Sequence, residues 1–248
     1  VSGTVAAVGS AVTTFKTGDN VFGMINFPGH GKAYAEYVAA PADQLALKPA
    51  GITHEEAAAA TLTALTAWQA LVQFAKVQKG DKVLIHAAAG GVGHYAVQLA
   101  KHFGAYVIGT GSGSNRDFIL SLGADEFIDH TKEKFEQRVK DADVVLDSLF
   151  SSEHLLRSLE AVKPGGRVIS LLTFFEGAAG EKAAQKGVYA NRMSVVSNGE
   201  QMRAIAGLLE KGVLRSTLAG RHSFSEIPHL HEVVAGGKTR GKIVVTME

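Results

Sequence analysis

The sequence predicts an α/β fold in which a doubly wound parallel sheet is joined to a smaller β-rich unit. From Lys82 onward, apolar strands alternate with helices of similar length, the pattern of βαβ units around a parallel sheet. Residues 1–50 hold short strands separated by glycine turns, which suggests a barrel-like or folded-sheet unit. An Ala-rich helical stretch lies between the two.

In chain order, Val1–Val8 is an apolar, small-residue run that Gly9-Ser10 can turn. The turn Phe15–Asn20 precedes a short strand, Val21–Met24. Tyr34–Val38 reads as a further strand closed by Pro41. Thr53, followed three residues later by Glu56, forms a capping box and starts a helix over Ala57–Phe74. Val83–His86 is a buried strand followed by a helix over Val92–Phe103. The strand Ala105–Thr110, the helix Asn115–Leu122, the strand Val144–Asp147, the helix Glu153–Val162 and the strand Arg167–Leu172 continue the alternation. Residues 201–212 form an amphipathic helix, and Lys242–Thr246 is a strand that rejoins the first unit.

Composition narrows the function. Lys+Arg total 25 against 24 for Asp+Glu, a balance that gives no reason to expect nucleic acid or an anionic membrane as partner. Cysteine is absent, which removes disulfides, thiolate zinc sites, iron–sulfur clusters and a cysteine nucleophile together. No apolar run reaches the roughly 18 residues a membrane-spanning helix needs, and no signal peptide is visible, so a cytoplasmic home is expected. The chain opens at Val1 inside a strand-like pattern, and the front of the native protein is expected to be missing from this sequence.

The sharpest feature is Val83-Leu84-Ile85-His86-Ala87-Ala88-Ala89-Gly90-Gly91-Val92-Gly93-His94. It matches G-x-G-x-x-G, with Ala88 replacing the first glycine and Gly90 and Gly93 in the other places. A buried strand stands before it and a helix directly after, which is the context this pattern requires. Without a Cβ, Gly90 lets the backbone approach a pyrophosphate, and Gly93 lets the helix pack close to the strand. The helix N-terminus offers free N–H groups and the positive end of its dipole to the phosphates. Ala89, Gly90, Gly91, Val92 and Gly93 are therefore the expected phosphate loop. The bland alternative is a glycine-rich turn that binds nothing.

About 20 residues beyond Gly90, where an acid recognising an NAD ribose would sit, the strand ends at Thr110 without one. The following residues offer Ser112 and Arg116, which suit a 2′-phosphate, so NADP(H) is the expected cofactor. Against this, Arg116 can be a solvated residue of a first helical turn, with either cofactor accepted.

With these residues in view, the chain resembles the medium-chain dehydrogenase/reductase superfamily, in its zinc-independent quinone oxidoreductase branch. The carrying segments are Ser2–Gly9, Phe15–Gly23, Tyr34–Val38, Leu65–Leu71, the glycine loop, Leu122–Asp125 and Arg240–Val245. The resemblance implies a GroES-like catalytic domain of residues 1–50 and 200–248, its first strands absent, and a Rossmann domain of residues 51–199. It also implies that Thr66 lies beside the nicotinamide and phosphates, although a helix-interior threonine can simply bond its own backbone. Leu171, Leu172 and Thr173, with Ser148 and Leu149, are expected at the carboxyl edge of the sheet near the nicotinamide, or merely lining that edge. Relatives are commonly homodimers, for which Arg192–Val196 could supply an edge strand.

The expected activity is NADPH-dependent hydride transfer to a quinone or α,β-unsaturated carbonyl, without zinc. Zinc enzymes of this superfamily carry a cysteine where this chain has Leu62. His229-Leu230-His231 reads as a surface pair, His86 and His94 as packed or solvent-facing rings, and His30 as a loop residue, so no metal is expected. The proton donor is unknown; Tyr34 and Tyr37 qualify by chemistry only. The alternatives are an NADPH-binding protein without significant turnover and, less favoured, a zinc alcohol dehydrogenase.

Overall fold

The computed structural model describes residues 1–247, which group into two compact units. One comprises residues 1–66 with 195–247, the other Ala67–Ser194. The limits expected from the sequence, 50/51 and 199/200, differ from this division, which passes through a helix.

In the first unit, β1 (Ser2–Thr4), β2 (Asn20–Phe22) and β3 (Ala46–Leu47) form an antiparallel sheet over a small core of Val21, Ile25 and Leu45. Tyr34–Val38, expected as a strand, has no ladder partner and forms none; Tyr34 and Tyr37 stand exposed. The capping box is present, with the Glu56 N–H donating to Thr53 Oγ1 and the Thr53 N–H to Glu56 Oε2. It opens α1 (His54–Trp68), which continues as a π-helical stretch over Gln69–Phe74.

The second unit is built on β4 (Lys82–Ile85), α2 (Gly93–His102), β5 (Tyr106–Gly111), α3 (Arg116–Ser121), β6 (Glu126–Asp129), α4 (Phe135–Arg138), β7 (Ala142–Asp147), α5 (Ser152–Ala161), β8 (Val162–Ser170), α6 (Ala178–Gln185) and β9 (Tyr189–Arg192). All six strands run parallel in the order β6-β5-β4-β7-β8-β9. The chain winds outward from β4 in both directions, so a topological switch point falls between β4 and β7.

Side chains alternate between the two faces of each strand. Leu84, Ile108, Val145 and Val168 pair across four strands as one apolar row. Phe135, Leu155, Leu159, Ala179 and Ala183 of α4, α5 and α6 pack with that row. On the opposite face, a Cβ built at Gly109 would lie 2.6 Å from Ile119 Cγ2, so glycine there lets α3 approach the sheet. β6, α4, α6 and β9 were not anticipated from the sequence; they are short and carry little periodicity.

The chain then returns to the first unit as α7 (Gly199–Glu210), β10 (Leu218–Ser223), α8 (Ile227–Ala235) and β11 (Lys242–Thr246). β10 and β11 pair in parallel. None of the described helices is long and apolar enough to cross a membrane.

Candidate dinucleotide site

The residues between β4 and α2 form a tight loop, because two positions permit what a side chain would forbid. A Cβ at Gly93 would sit 2.2 Å from the Ala87 carbonyl oxygen and 2.7 Å from Ala88 Cα. A Cβ at Gly90 would lie 3.2 Å from that same oxygen. The loop folds on Ala87, a non-glycine residue held at φ +49°. Two donors, the His94 N–H (3.1 Å) and its ring Nδ1–H (2.9 Å), converge on the Gly90 carbonyl and hold the loop against α2. The N–H groups of Gly91, Val92 and Gly93 have no hydrogen-bond partner among the described residues. Three free donors at a helix start, beside a backbone stripped of Cβ atoms, fit a pyrophosphate. The loop also leaves β4 at the switch point, where open α/β sheets place their ligands.

Beyond β5, Ser112, Ser114, Asn115 and Arg116 share one turn. The Ser112 hydroxyl lies 3.2 Å from that of Ser114 and accepts from Asn115 Nδ2 at 3.0 Å. Arg116 is exposed, its guanidinium 5.7 Å from the Phe127 ring centre. Hydroxyls and a solvent-facing guanidinium on a turn fit a 2′-phosphate. The sequence reading missed Asp129, which β6 places in register with Gly111. A Cβ at Gly113 would touch its Oδ2 at 2.6 Å. Its carboxyl is held below the usual range chiefly by the Thr131 hydroxyl. An acid recruited by strand pairing rather than by chain distance leaves no local mark in the sequence.

Thr110 is buried and its hydroxyl faces the His86 Nδ1 at 3.1 Å, inside the unit. After β7, Ser148 donates to the His86 carbonyl (3.2 Å) and the Leu149 N–H to Asp147 Oδ1 (3.0 Å). After β8, the Thr173 hydroxyl donates to the Leu149 carbonyl at 2.9 Å and accepts the Ser151 N–H at 3.1 Å. Leu172 stays 45% exposed and Leu171 half-buried. The structure thus brings Ala89–Gly93, Ser148, Leu149 and Leu171–Thr173 to one edge of the sheet. Thr66 belongs to the first unit, where its hydroxyl donates to the Leu62 carbonyl one turn back (2.7 Å).

Beneath that edge lies a polar cluster of the buried His86, Asp147 and Ser158 with the partly buried His154. Burial lowers the His86 pKa to about 3, so its ring is neutral at physiological pH. Burial pushes the Asp147 carboxyl up, but the hydrogen bonds it accepts, chiefly from His154 and also from the Leu149 N–H, outweigh it and hold the carboxyl below the usual range. His86, Asp147 and His154 are also residue types that hold metals, with ligand atoms within 4.8 Å of one another. Both ring nitrogens of His86, Nδ1 of His154 and both oxygens of Asp147 already hold hydrogen bonds, with which a metal would have to compete.

In the first unit, a concavity of about 1290 Å³ contains Ser2 and His54, whose Oγ and Nδ1 lie 2.8 Å apart. Among the described residues the His54 ring bonds no carboxylate, so no third member of a nucleophilic triad stands beside it. Tyr34 places its hydroxyl 3.2 Å from His231 Nε2.

Comparison with known proteins agrees with this architecture. Residues 1–50 match the alcohol dehydrogenase GroES-like domain, and residues 122–245 match the zinc-binding dehydrogenase family. The chain is 36% identical to the 2-methylene-furan-3-one reductase of Solanum lycopersicum over 99% of its own length, and spans 62% of that relative. Among solved structures, the quinone oxidoreductase of Coxiella burnetii superposes with a TM-score of 0.92 at 37% identity, covering all of this chain and 78% of that one. The Escherichia coli quinone oxidoreductase complexed with NADPH gives a TM-score of 0.87 at 29% identity, over 99% of this chain and 80% of that one.

Proposed function

Since the chain belongs to the medium-chain dehydrogenase/reductase superfamily, in its quinone oxidoreductase-like branch, we propose that it is an NADPH-dependent oxidoreductase that reduces a quinone or an α,β-unsaturated carbonyl without zinc. The observation that carries this reading is the glycine loop at the switch point, with three unpartnered N–H groups aimed out of a helix start. The E. coli relative's NADPH and the enone in the tomato relative's name support the cofactor and the substrate class.

A bound nicotinamide supplies the hydride. The Gly91, Val92 and Gly93 N–H groups would hold the pyrophosphate, while Ser112 and Arg116 would hold the 2′-phosphate. Ser148, Leu149 and Leu171–Thr173 would line the nicotinamide end and exclude water. Charge developing on the substrate oxygen needs a donor or a proton, which Tyr34 or Tyr37 could supply by chemistry alone. Zinc independence rests on the chain's own residues: no cysteine is present, and Leu62 cannot ligate a metal. A cytoplasmic location and a homodimer complete the proposal. The exposed edge of β9, which ends at Arg192 at the start of the segment expected to pair, supports sheet extension.

The test follows oxidation of NADPH and of NADH against a panel of quinones and enones, with and without a chelator. Turnover with NADPH, insensitive to chelation, supports the proposal. A preference for NADH overturns the Ser112/Arg116 assignment and turns attention to Asp129. Binding of NADPH without turnover favours a non-enzymatic binder, and loss of stoichiometric zinc with activity favours a zinc alcohol dehydrogenase.

A further inference from the structure

One step beyond the apolar row of Leu84, Ile108, Val145 and Val168, the same face carries His86, Thr110, Asp147 and Ser170. All four are buried, and they cap the carboxyl ends of β5, β4, β7 and β8. The bonds joining them run in one direction. An ionised carboxylate only accepts, so Ser158 Oγ donates to Asp147 Oδ2 at 2.8 Å. Ser158 has a single proton, so at its 3.2 Å contact with His86 Nε2 the ring nitrogen is the donor. A neutral imidazole carries one proton, so His86 Nδ1 accepts from the Thr110 hydroxyl at 3.1 Å. His154 Nδ1–H donates to the same Asp147 oxygen at 2.9 Å, and the Leu149 N–H takes the other oxygen at 3.0 Å.

We infer that His86, Ser158 and Asp147 are positioning residues: a one-way hydrogen-bond relay, Thr110 to His86 to Ser158 to Asp147, that ties the phosphate loop to the Ser148–Leu149 segment. The inference rests on the cofactor reading above and adds residues that touch no cofactor. The backbone ladder joins the two strands only as far as the His86 N–H, which donates to the Leu146 carbonyl at 3.1 Å, and beyond it a mismatch of even about 1 Å costs binding geometry. The relay joins them from below, and the Ser148 hydroxyl joins them again through the His86 carbonyl. The ring contacts of His86 with Phe135 and His154, each at 4.4 Å, keep water out, so every donor must be matched inside the protein.

The carboxylate sets the direction, and this gives a signature that packing alone does not. In Asp147→Asn the amide oxygen keeps the Leu149 N–H, and the amide nitrogen turns toward Ser158 and His154. Ser158 then accepts from the amide and turns its own O–H to donate a hydrogen bond to His86 Nε2, which must be the unprotonated nitrogen. The ring becomes the Nδ1–H tautomer and donates to Thr110. The side-chain ¹⁵N resonances of the folded chain read this directly, with His86 assigned by its loss in His86→Asn. The expected result is Nε2–H in the wild type and Nδ1–H in Asp147→Asn. Cutting the relay with Ser158→Ala leaves the His86 donor unpaired, and NADPH affinity by fluorescence titration should fall by about tenfold. Nδ1–H in the wild type, an unchanged tautomer in Asp147→Asn, or undiminished affinity in a folded Ser158→Ala chain overturns the inference. If Asp147→Asn does not fold, the wild-type tautomer and the Ser158→Ala titration decide. If the wild type binds no NADPH, the cofactor reading fails, and the tautomers alone decide the relay.

Discussion

Acidification from pH 7 to pH 5 should destabilise the second unit through one ring. His86 is fully buried, and its pKa falls from the ordinary 6.5 to about 3. At pH 5 an unfolded-state histidine is largely protonated, whereas the folded protein keeps His86 neutral. Folding must therefore release a proton, and stability falls as pH drops below 6.5, levelling off near the folded value of 3. Integrating between pH 7 and pH 5 gives a loss of about 2 kcal/mol from this residue. The chain has one tryptophan, Trp68, whose ring lies 6.3 Å from Phe103 within the second unit, so its fluorescence reports unfolding there. Urea unfolding of the wild type and of His86→Asn at both pH values isolates the effect. The wild type should lose about 2 kcal/mol more than His86→Asn on acidification. Equal losses in the two proteins would refute the reasoning.

Gly93→Ala places a Cβ 2.2 Å from the Ala87 oxygen, and calorimetric titration should show NADPH binding abolished while far-UV circular dichroism stays native-like. Ala87→Gly relieves a residue at φ +49° and, net of the added chain entropy, should raise stability by roughly 0.5–1 kcal/mol in urea melts. Arg116→Ala should reduce the NADPH-over-NADH preference by about tenfold, read as a ratio of kcat/KM values. Asn198→Ala removes the oxygen that accepts the Gln201 N–H at 2.9 Å at the start of α7, costing about 1 kcal/mol in thermal or urea unfolding.

Much was legible in the sequence because the signals were local. The apolar strand, glycines and helix of residues 83–103 sit within one short stretch, so the loop could be read without the fold. The same holds for the Thr53/Glu56 box, whose two bonds span three residues. Tyr34–Val38 has the composition of a strand, but a strand exists only through its ladder partner, and composition does not name one. Strand pairing also decided which acid lies under Gly113, since Asp129 arrives from β6 rather than along β5. The buried relay is the clearest case. His86, Thr110, Asp147 and Ser158 look unrelated along the chain, separated by as many as 72 positions. Sheet order and strand register align three of them, and α5 lays the fourth across the row. Local spacing along the chain therefore determined the loop that would take a dinucleotide. Only the packed sheet could decide what holds that loop in place, because hydrogen bonds between strands depend on which strands become neighbours.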